Sequence, residues 1–355
     1  MVIDLLKKLI SIESSTKEGA NKAVDFCETW LLEHNLSVRK LENNGYKMLL
    51  CEIGKGDFTL VLNGHVDVVS GHPQQFIPFE KDGKLFGRGS ADMKAGVAAM
   101  MCALLNLKDQ ELGVKIQLQI VSDEEIGGLN CSRYLAENGY RGDFVICSEP
   151  TQLGIAHQAK GVLRLDFKIS GKSAHGSRPW EGINAIEKAY RVYEQILELP
   201  FAKESTSYYA SPSINLAKIQ AGDVYNKVPD ECLMCFDLRF LPTQNKEEIM
   251  KEIESVTDGN VYINMFAEPI NTDKNHPVIS LLDQIVEANT KTTTLFFGQH
   301  GTADTVFFAK YGIPAIEFGP SGDNWHGDEE YVDIESVQLY QNMLVEFVKK
   351  LGCSS

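Results

Sequence analysis

The chain has 355 residues, with 34 lysines and arginines against 49 aspartates and glutamates, a formal charge of −15. That length exceeds one typical domain and points to two. The acidic balance excludes the basic footprint that nucleic-acid binding needs, and no apolar run approaches the ~18 residues of a membrane span.

The opening stretch MVIDLLKKLISIESS has Lys7 and Lys8 among its apolar residues and no small-residue cleavage site. It reads as a helix, Val2–Ile10, rather than a secretion signal, and the expected location is the cytoplasm. Asn21–Glu33 is a second helix. Lys47–Ile53 and Phe58–Asn63 read as strands, Lys94–Leu107 as a helix rich in Ala, Met and Leu, and Val114–Ser122 as a strand. Leu129–Asn138 is a helix and Phe144–Cys147 a short buried strand. This alternation implies an α/β fold whose largely parallel sheet is covered by helices.

Near Gly161 the pattern changes. Val162–Ser170 alternates as a strand, Trp180–Leu197 is a helix, and Ile214–Gln220 and Glu231–Phe240 are strands. Lys246–Val256 is a helix and Val261–Phe266 a strand. Two helices on a small antiparallel sheet make an α+β domain with one open face. After Pro269 the α/β pattern returns with the helix Val278–Asn289, then Thr305–Lys310, the strand Ala315–Phe318 and the helix Ile334–Leu351. Residues 1–161 and 269–355 therefore read as one domain and residues 162–268 as a second, inserted into it. The eight cysteines show no framework spacing and read as reduced thiols. Cys232 and Cys235 form a CxxC, but three residues apart on a strand they face opposite sides.

Chemistry-bearing residues collect where strands of the first domain end, the usual place for ligands in such folds. Strand Phe58–Asn63 runs into Gly64-His65-Val66-Asp67. His65 and Asp67 are two apart, and a metal-binding histidine usually has its second ring nitrogen held by a carboxylate, which Asp67 could supply. Asp92 stands at the entrance of a helix, available to bridge two cations. Glu124 and Glu125 follow Val114–Ser122, Glu149 follows Phe144–Cys147, and His326 comes late in the chain. Taken singly, Asp92 also reads as a helix cap and Glu124–Glu125 as surface charge. Together, two histidines and at least three carboxylates at the strand ends of one sheet suit Zn²⁺, or Mn²⁺ and Co²⁺.

His65-Val66-Asp67, Gly89-Ser90-Ala91-Asp92-Met93-Lys94-Ala95-Gly96, Asp123-Glu124-Glu125, Glu149-Pro150 and His326, in that order over nearly the whole chain, resemble the co-catalytic zinc aminoacylase/carboxypeptidase family. The resemblance implies that His65 and Glu149 bind one metal and that Asp67 orients His65. It implies that Asp92 bridges both metals and that Glu125 and His326 bind the second. Glu124 would be the general base on the bridging water. Two divalent metals are implied, Zn²⁺ first, with Co²⁺ or Mn²⁺ able to serve. The inserted domain would be a lid that also forms a homodimer. His175, in Gly171-Lys172-Ser173-Ala174-His175-Gly176, would reach a neighbouring subunit's active site. Asn226 and Arg239 match positions that hold the substrate's carboxylate, and Arg178 is a further candidate. Gly301 and Thr302 lie in a stretch similar to the loop that lines the substrate pocket. Arg239 also reads as a surface ion pair and His175 as plain loop. Glu149, where many members carry Asp, favours the deacetylase and desuccinylase branch.

The function so implied is hydrolysis of the amide bond of N-acyl amino acids. The alternatives are a zinc exo- or dipeptidase on the same scaffold, acting on short peptides, and a non-catalytic binding protein that keeps the fold.

Overall fold

The computed structural model describes residues 1–354. They divide into two units. Met1–His157, Thr272–Phe297 and the residues from Ala303 onward form the first, and Gln158–Asn271 with Gly298–Thr302 form the second.

The first unit opens with α1 (Val2–Ile10), whose Leu5, Leu6, Leu9 and Ile10 are buried at helical spacing. α2 (Lys17–Glu33) begins four residues before the expected Asn21, because the Thr16 hydroxyl caps it by accepting the Gly19 N–H. β1 (Val38–Asn43) and β2 (Tyr46–Gly54) form a hairpin. Its two-residue turn is Asn44-Gly45, both at positive φ, a combination favoured in tight hairpins. β3 (Thr59–His65) follows, then the short strands β4 (Phe79–Lys81) and β5 (Lys84–Phe86), α3 (Lys94–Leu107), β6 (Lys115–Val121), α4 (Ser132–Glu137), β7 (Phe144–Cys147) and β8 (Ile155–Ala159).

The second unit runs through β9 (Gly161–Ser170), α5 (Ala185–Glu198), α6 (Pro200–Lys203), β10 (Ser213–Ala221), β11 (Glu231–Phe240), α7 (Lys246–Ser255), β12 (Asn260–Ala267) and β13 (Ile270–Asn271). The chain continues with α8 (Pro277–Thr290), β14 (Phe296–Gln299), α9 (Thr305–Ala309), β15 (Ala315–Glu317), β16 (Gly322–Asp323), β17 (Tyr331–Asp333) and α10 (Ile334–Ser354).

In the first unit the main sheet runs in the order β1-β2-β6-β3-β7-β15-β8. Its centre is parallel, with β3 between β6 and β7 and β15 beside β7. β1, β2 and β8 pair antiparallel at the flanks. Helix α3 packs against α1 and α10 and buries Val97, Ala98, Met101 and Cys102 with Leu60, Leu62, Ile116, Leu118 and Ile146. Val61 and Val145 point to the other face, against Ala136 and Phe308. Burial on both faces explains why these strands read as apolar runs rather than alternating ones. A small antiparallel sheet, β16-β17-β5-β4, joins a late segment to an early one.

In the second unit β10-β11-β9-β12 is wholly antiparallel. Alternate residues Leu163, Leu165, Phe167, Ile169, Cys232, Met234, Phe236 and Leu238 form a core with Ala189, Val192 and Ile196 of α5 and Ile249 and Ile253 of α7. Arg164, Asp237 and Arg239 lie on the opposite, polar face and pair with one another. Cys232 is in the core, Cys235 is half-buried on the other face, and both are free thiols. Among the described residues no helix is long and apolar enough to cross a membrane.

Candidate metal centre

β3 ends on His65, β6 runs out into Ser122-Asp123-Glu124-Glu125, and β7 into Ser148-Glu149. These strands are parallel neighbours, so their C-terminal ends share one edge of the sheet. Asp92 closes the turn before α3. Met93 holds the N-cap position there without a side-chain bond, so the Asp92 carboxylate is not spent on the helix. His326 lies between β16 and β17, and the pairing of β17 with β5 carries it towards the Gly87–Asp92 turn.

His65 Nε2 is 3.1 Å from Asp92 Oδ1 and 3.7 Å from Glu149 Oε1. His326 Nε2 is 3.3 Å from Asp92 Oδ2 and 3.2 Å from Glu125 Oε2. Two clusters result, His65–Asp92–Glu149 and Asp92–Glu125–His326, each with its three ligand atoms within 4.8 Å of one another. Asp92 presents one oxygen to each. The donors are imidazole nitrogen and carboxylate oxygen, a set that fits Zn²⁺, Mn²⁺ or Co²⁺. Glu124 stands beside the clusters, with Oε2 3.9 Å from His65 Nε2. The His65 side chain is 1% exposed and that of His326 51%, so the centre opens on the His326 side.

The contact expected between Asp67 and His65 takes a different form. His65 Nδ1 lies 2.9 Å from the backbone carbonyl of Asp67 and 3.5 Å from its Oδ1. The peptide oxygen accepts from the ring at Nδ1, which fixes the ring with Nε2 directed toward Asp92 and Glu149. The Asp67 carboxylate turns instead to the Glu125 backbone, accepting its N–H at 2.9 Å. Asp67 thus touches both clusters, one through its main chain and one through its side chain.

Charge crowding sets the protonation of the centre. Burial pushes the carboxyls of Glu124 and Glu149 well above the usual range, and neighbouring acids push them further. Glu125 is raised for the same reasons. Burial opposes charge on His65, but the Asp67 and Asp92 carboxylates outweigh it and hold the ring well above its ordinary value. Asp92 is also buried, yet His326 and His65 pull it well below the carboxylate range. His326 is raised, chiefly by Asp92.

Several residues at the centre carry no sequence signal that separates them from surface or packing residues. Asp304 is 2% exposed, accepts the Ser132 hydroxyl at 2.6 Å, and is pushed by burial up to about 7. A Cβ on Gly128 would lie 2.2 Å from Asp304 Oδ1, so the loop after Glu125 closes over this acid only with glycine there. Lys94 is fully buried and donates to the Leu9 and Ile12 carbonyls, both at 3.0 Å. A lysine opening an otherwise apolar helix is the one hint of that role. Arg88 and Glu330 form a buried ion pair of 2.8 Å. Glu330 belongs to the acid run Asp328-Glu329-Glu330, which reads as surface.

Other histidines serve local structure. His34 Nδ1 donates to the Trp30 carbonyl, His157 Nδ1 lies 2.8 Å from the Thr272 carbonyl, and His276 accepts the Val278 N–H at the start of α8.

In the second unit, His175 bridges to Lys227 and the Gly176 N–H donates to the Asn226 carbonyl. These contacts bring His175, Arg178 and Asn226 onto one pair of exposed loops. His175 Nδ1 lies 2.7 Å from the Ser177 hydroxyl. Arg178 pairs with Glu181 at 3.4 Å. Arg239 binds Asp237 through Nε at 2.7 Å and Nη2 at 3.3 Å, the ion pair that was the competing reading of this residue. Gly301 is exposed and Thr302 half-buried. Their segment is tied down by the Tyr209 hydroxyl, which donates to the Gln299 carbonyl at 3.2 Å.

A helix-covered parallel sheet whose strand ends gather two such clusters around one carboxylate defines the class of metal-dependent hydrolases. The model described as Peptidase family M20/M25/M40 matches residues 61–350, and the chain belongs to that family. It is 30% identical to a succinyl-diaminopimelate desuccinylase of Nautilia profundicola, over 98% of this chain and 99% of the relative. It is 25% identical to an acetylornithine deacetylase of Proteus mirabilis, over 98% and 96%. The fold is similar to the crystal structure of the aminopeptidase PepT from Bacillus cereus, with a TM-score of 0.83 at 20% identity, covering 99% of this chain and 98% of that one.

Proposed function

We propose that this protein hydrolyses the amide bond of N-acyl amino acids with two divalent cations, Zn²⁺ first among them. The observation that carries this reading is the sharing of Asp92, one oxygen toward His65 and Glu149 and the other toward Glu125 and His326. The names of the relatives support the substrate class, since a desuccinylase and a deacetylase both remove an acyl group.

His65 and Glu149 hold one cation, Glu125 and His326 the other, and Asp92 reaches both. Bound there, the cations supply the Lewis acidity that activates water and polarises an amide carbonyl. Glu124 accepts the proton of the attacking water and later returns it to the leaving amine. A base so placed contributes roughly 10²–10⁴-fold.

The second unit acts in this reading as lid and homodimer interface. His175 supplies a donor to the developing oxyanion of a neighbouring copy, which its exposure permits. Asn226, Arg239 and Arg178 hold the substrate carboxylate, and Arg239 must then exchange its bond with Asp237. Gly301 and Thr302 line the pocket. Trp180, Ile183, Ile186 and Tyr190 are exposed apolar residues close in sequence, which supports placing the interface there. The cysteines are free, which fits a reducing, cytoplasmic setting.

The test is a mass-spectrometric screen of the metal-loaded protein against N-succinyl-diaminopimelate, N-acetylornithine, other N-acyl amino acids and dipeptides. Release of an acyl group is the expected result. Cleavage of dipeptides alone would replace this reading with a peptidase. No turnover with Zn²⁺, Co²⁺ or Mn²⁺ would reject it.

A further inference from the structure

We propose that Glu330 is a positioning residue that sets Asp92 and His326 to one another. This rests on the reading that those two side chains serve the cation pair.

His65 and Glu149 are placed by the sheet, His65 as the last residue of β3 and Glu149 two residues beyond the end of β7. Asp92 and His326 have no such support, because both stand in irregular loops. The His326 backbone is at φ 65 and that of Asn324 at φ 58, a left-handed region that residues other than glycine seldom adopt. Such a loop keeps its form only where its neighbours determine it.

Glu330 joins the two loops. Its Oε1 accepts the N–H groups of Ala91 at 3.0 Å and Asp92 at 3.1 Å. Its Oε2 accepts the Gly89 N–H at 2.9 Å and Arg88 Nη1 at 2.8 Å. All four partners are donors, and an ionised carboxylate, which only accepts, has about four lone-pair sites to meet them. The same Arg88 donates from Nη2 to the His326 carbonyl at 3.2 Å. Gln75 braces the far side of that loop, donating to the Gly327 and Asp328 carbonyls and accepting the Arg88 N–H on its own carbonyl. One buried anion therefore fixes the peptide of Asp92 and, through one guanidinium, the peptide of His326. Neither contact reaches the reacting atoms, so Glu330 acts through the ligands.

Glu330→Gln tests this. The amide keeps the shape but turns one acceptor into a donor that faces two donors. The readout is calorimetric titration of Zn²⁺ into metal-stripped protein, for the wild type, Glu330→Gln, Arg88→Lys and His326→Ala. The binding step that His326→Ala removes marks the His326 cluster. In Glu330→Gln that step is expected to weaken roughly ten- to hundredfold, as changes behind metal ligands do, while the step belonging to His65 and Glu149 changes less. Arg88→Lys keeps the charge beside Glu330 but gives up the fork that spans to His326, and it is expected to weaken the same step. It carries the test if Glu330→Gln does not fold. Two unchanged steps in a variant with only a lowered melting temperature, or two steps weakened equally, would overturn the proposal. Absence of Zn²⁺ uptake by the wild type would instead overturn the reading of the centre, and this proposal with it.

Discussion

Asp92 has no substitute among the residues around it, since each of its oxygens faces a different histidine. Glu124 differs, being near the clusters without belonging to either. Glu124→Gln is therefore expected to lower kcat by ~10²–10⁴-fold while bound metal, measured by atomic emission, stays unchanged. Asp304 gives a prediction in pH. Its folded value of about 7 stands above the ~3.9 of an unfolded aspartate. Between those values the folded chain holds a proton that the unfolded chain has released, so stability falls as pH rises through this window. The interval corresponds to at most ~4 kcal/mol. Asp304→Asn keeps an acceptor for Ser132 and removes the titration. In metal-stripped protein its melting temperature should match the wild type near pH 4 and exceed it above pH 7. Of the residues that meet in the two clusters, His65, Glu125 and Glu149 were readable because each follows a recognisable strand and Asp92 because it opens a recognisable helix, whereas His326 rested on the resemblance and its order in the chain. Glu330 was not readable, because an acid within an acid run shows nothing of the four donors that surround it. Nor was the atom by which Asp67 reaches His65, since residue types do not reveal when a main-chain carbonyl displaces a side chain.

At the scale of elements, the sheet and helix faces were legible where burial imposes a period. β9 and β11 alternate because one face meets α5 and α7, and α3 is apolar from Ala95 to Leu105 because nearly all of that stretch is buried. β1 was missed: its residues are half-buried or exposed, so it carries little apolar signal, and Asn44-Gly45 was its better marker. β8 was missed as well, lying in a short stretch between two strong patterns. The helix expected over Trp180–Leu197 begins only at Ala185, where Asn184 accepts the Ile186 N–H, and Pro179–Glu181 forms a separate 3-10 turn. One close approach of elements bears on the centre. A Cβ on Gly96 would lie 2.3 Å from the Ser148 carbonyl, so α3 rests directly on the strand end that delivers Glu149. Gly96→Ala should destabilise the chain by about 1–3 kcal/mol, as overpacking does. It should also weaken metal uptake, which thermal melting and metal titration read separately.

For the whole molecule, the proposed function puts chemistry on the first unit and substrate selection and assembly on the second. On the proposed homodimer, Glu substitutions at Ile186 and Tyr190, both exposed on α5, are expected to leave a single chain of 39.5 kDa in sedimentation velocity where the wild type sediments as twice that mass. A wild-type monomer at working concentration would remove the interface from the account. The class of fold was visible from the alternation of helices and strands, and the shift to an antiparallel pattern near Gly161 from the change in period. His175 and Asn226, exposed on loops, answer to no packing rule, and only the resemblance singles them out. In the proposed function two cations gather around Asp92 and an amide bond is cut. It is tested most directly by following release of the acyl group from an N-acyl amino acid as Zn²⁺ is added stepwise to metal-stripped protein. The expected result is no release without metal, activity that completes at two equivalents per chain, and loss of both uptake and turnover in Asp92→Ala. Hydrolysis that survives removal of the metal, or full turnover in Asp92→Ala, would contradict it.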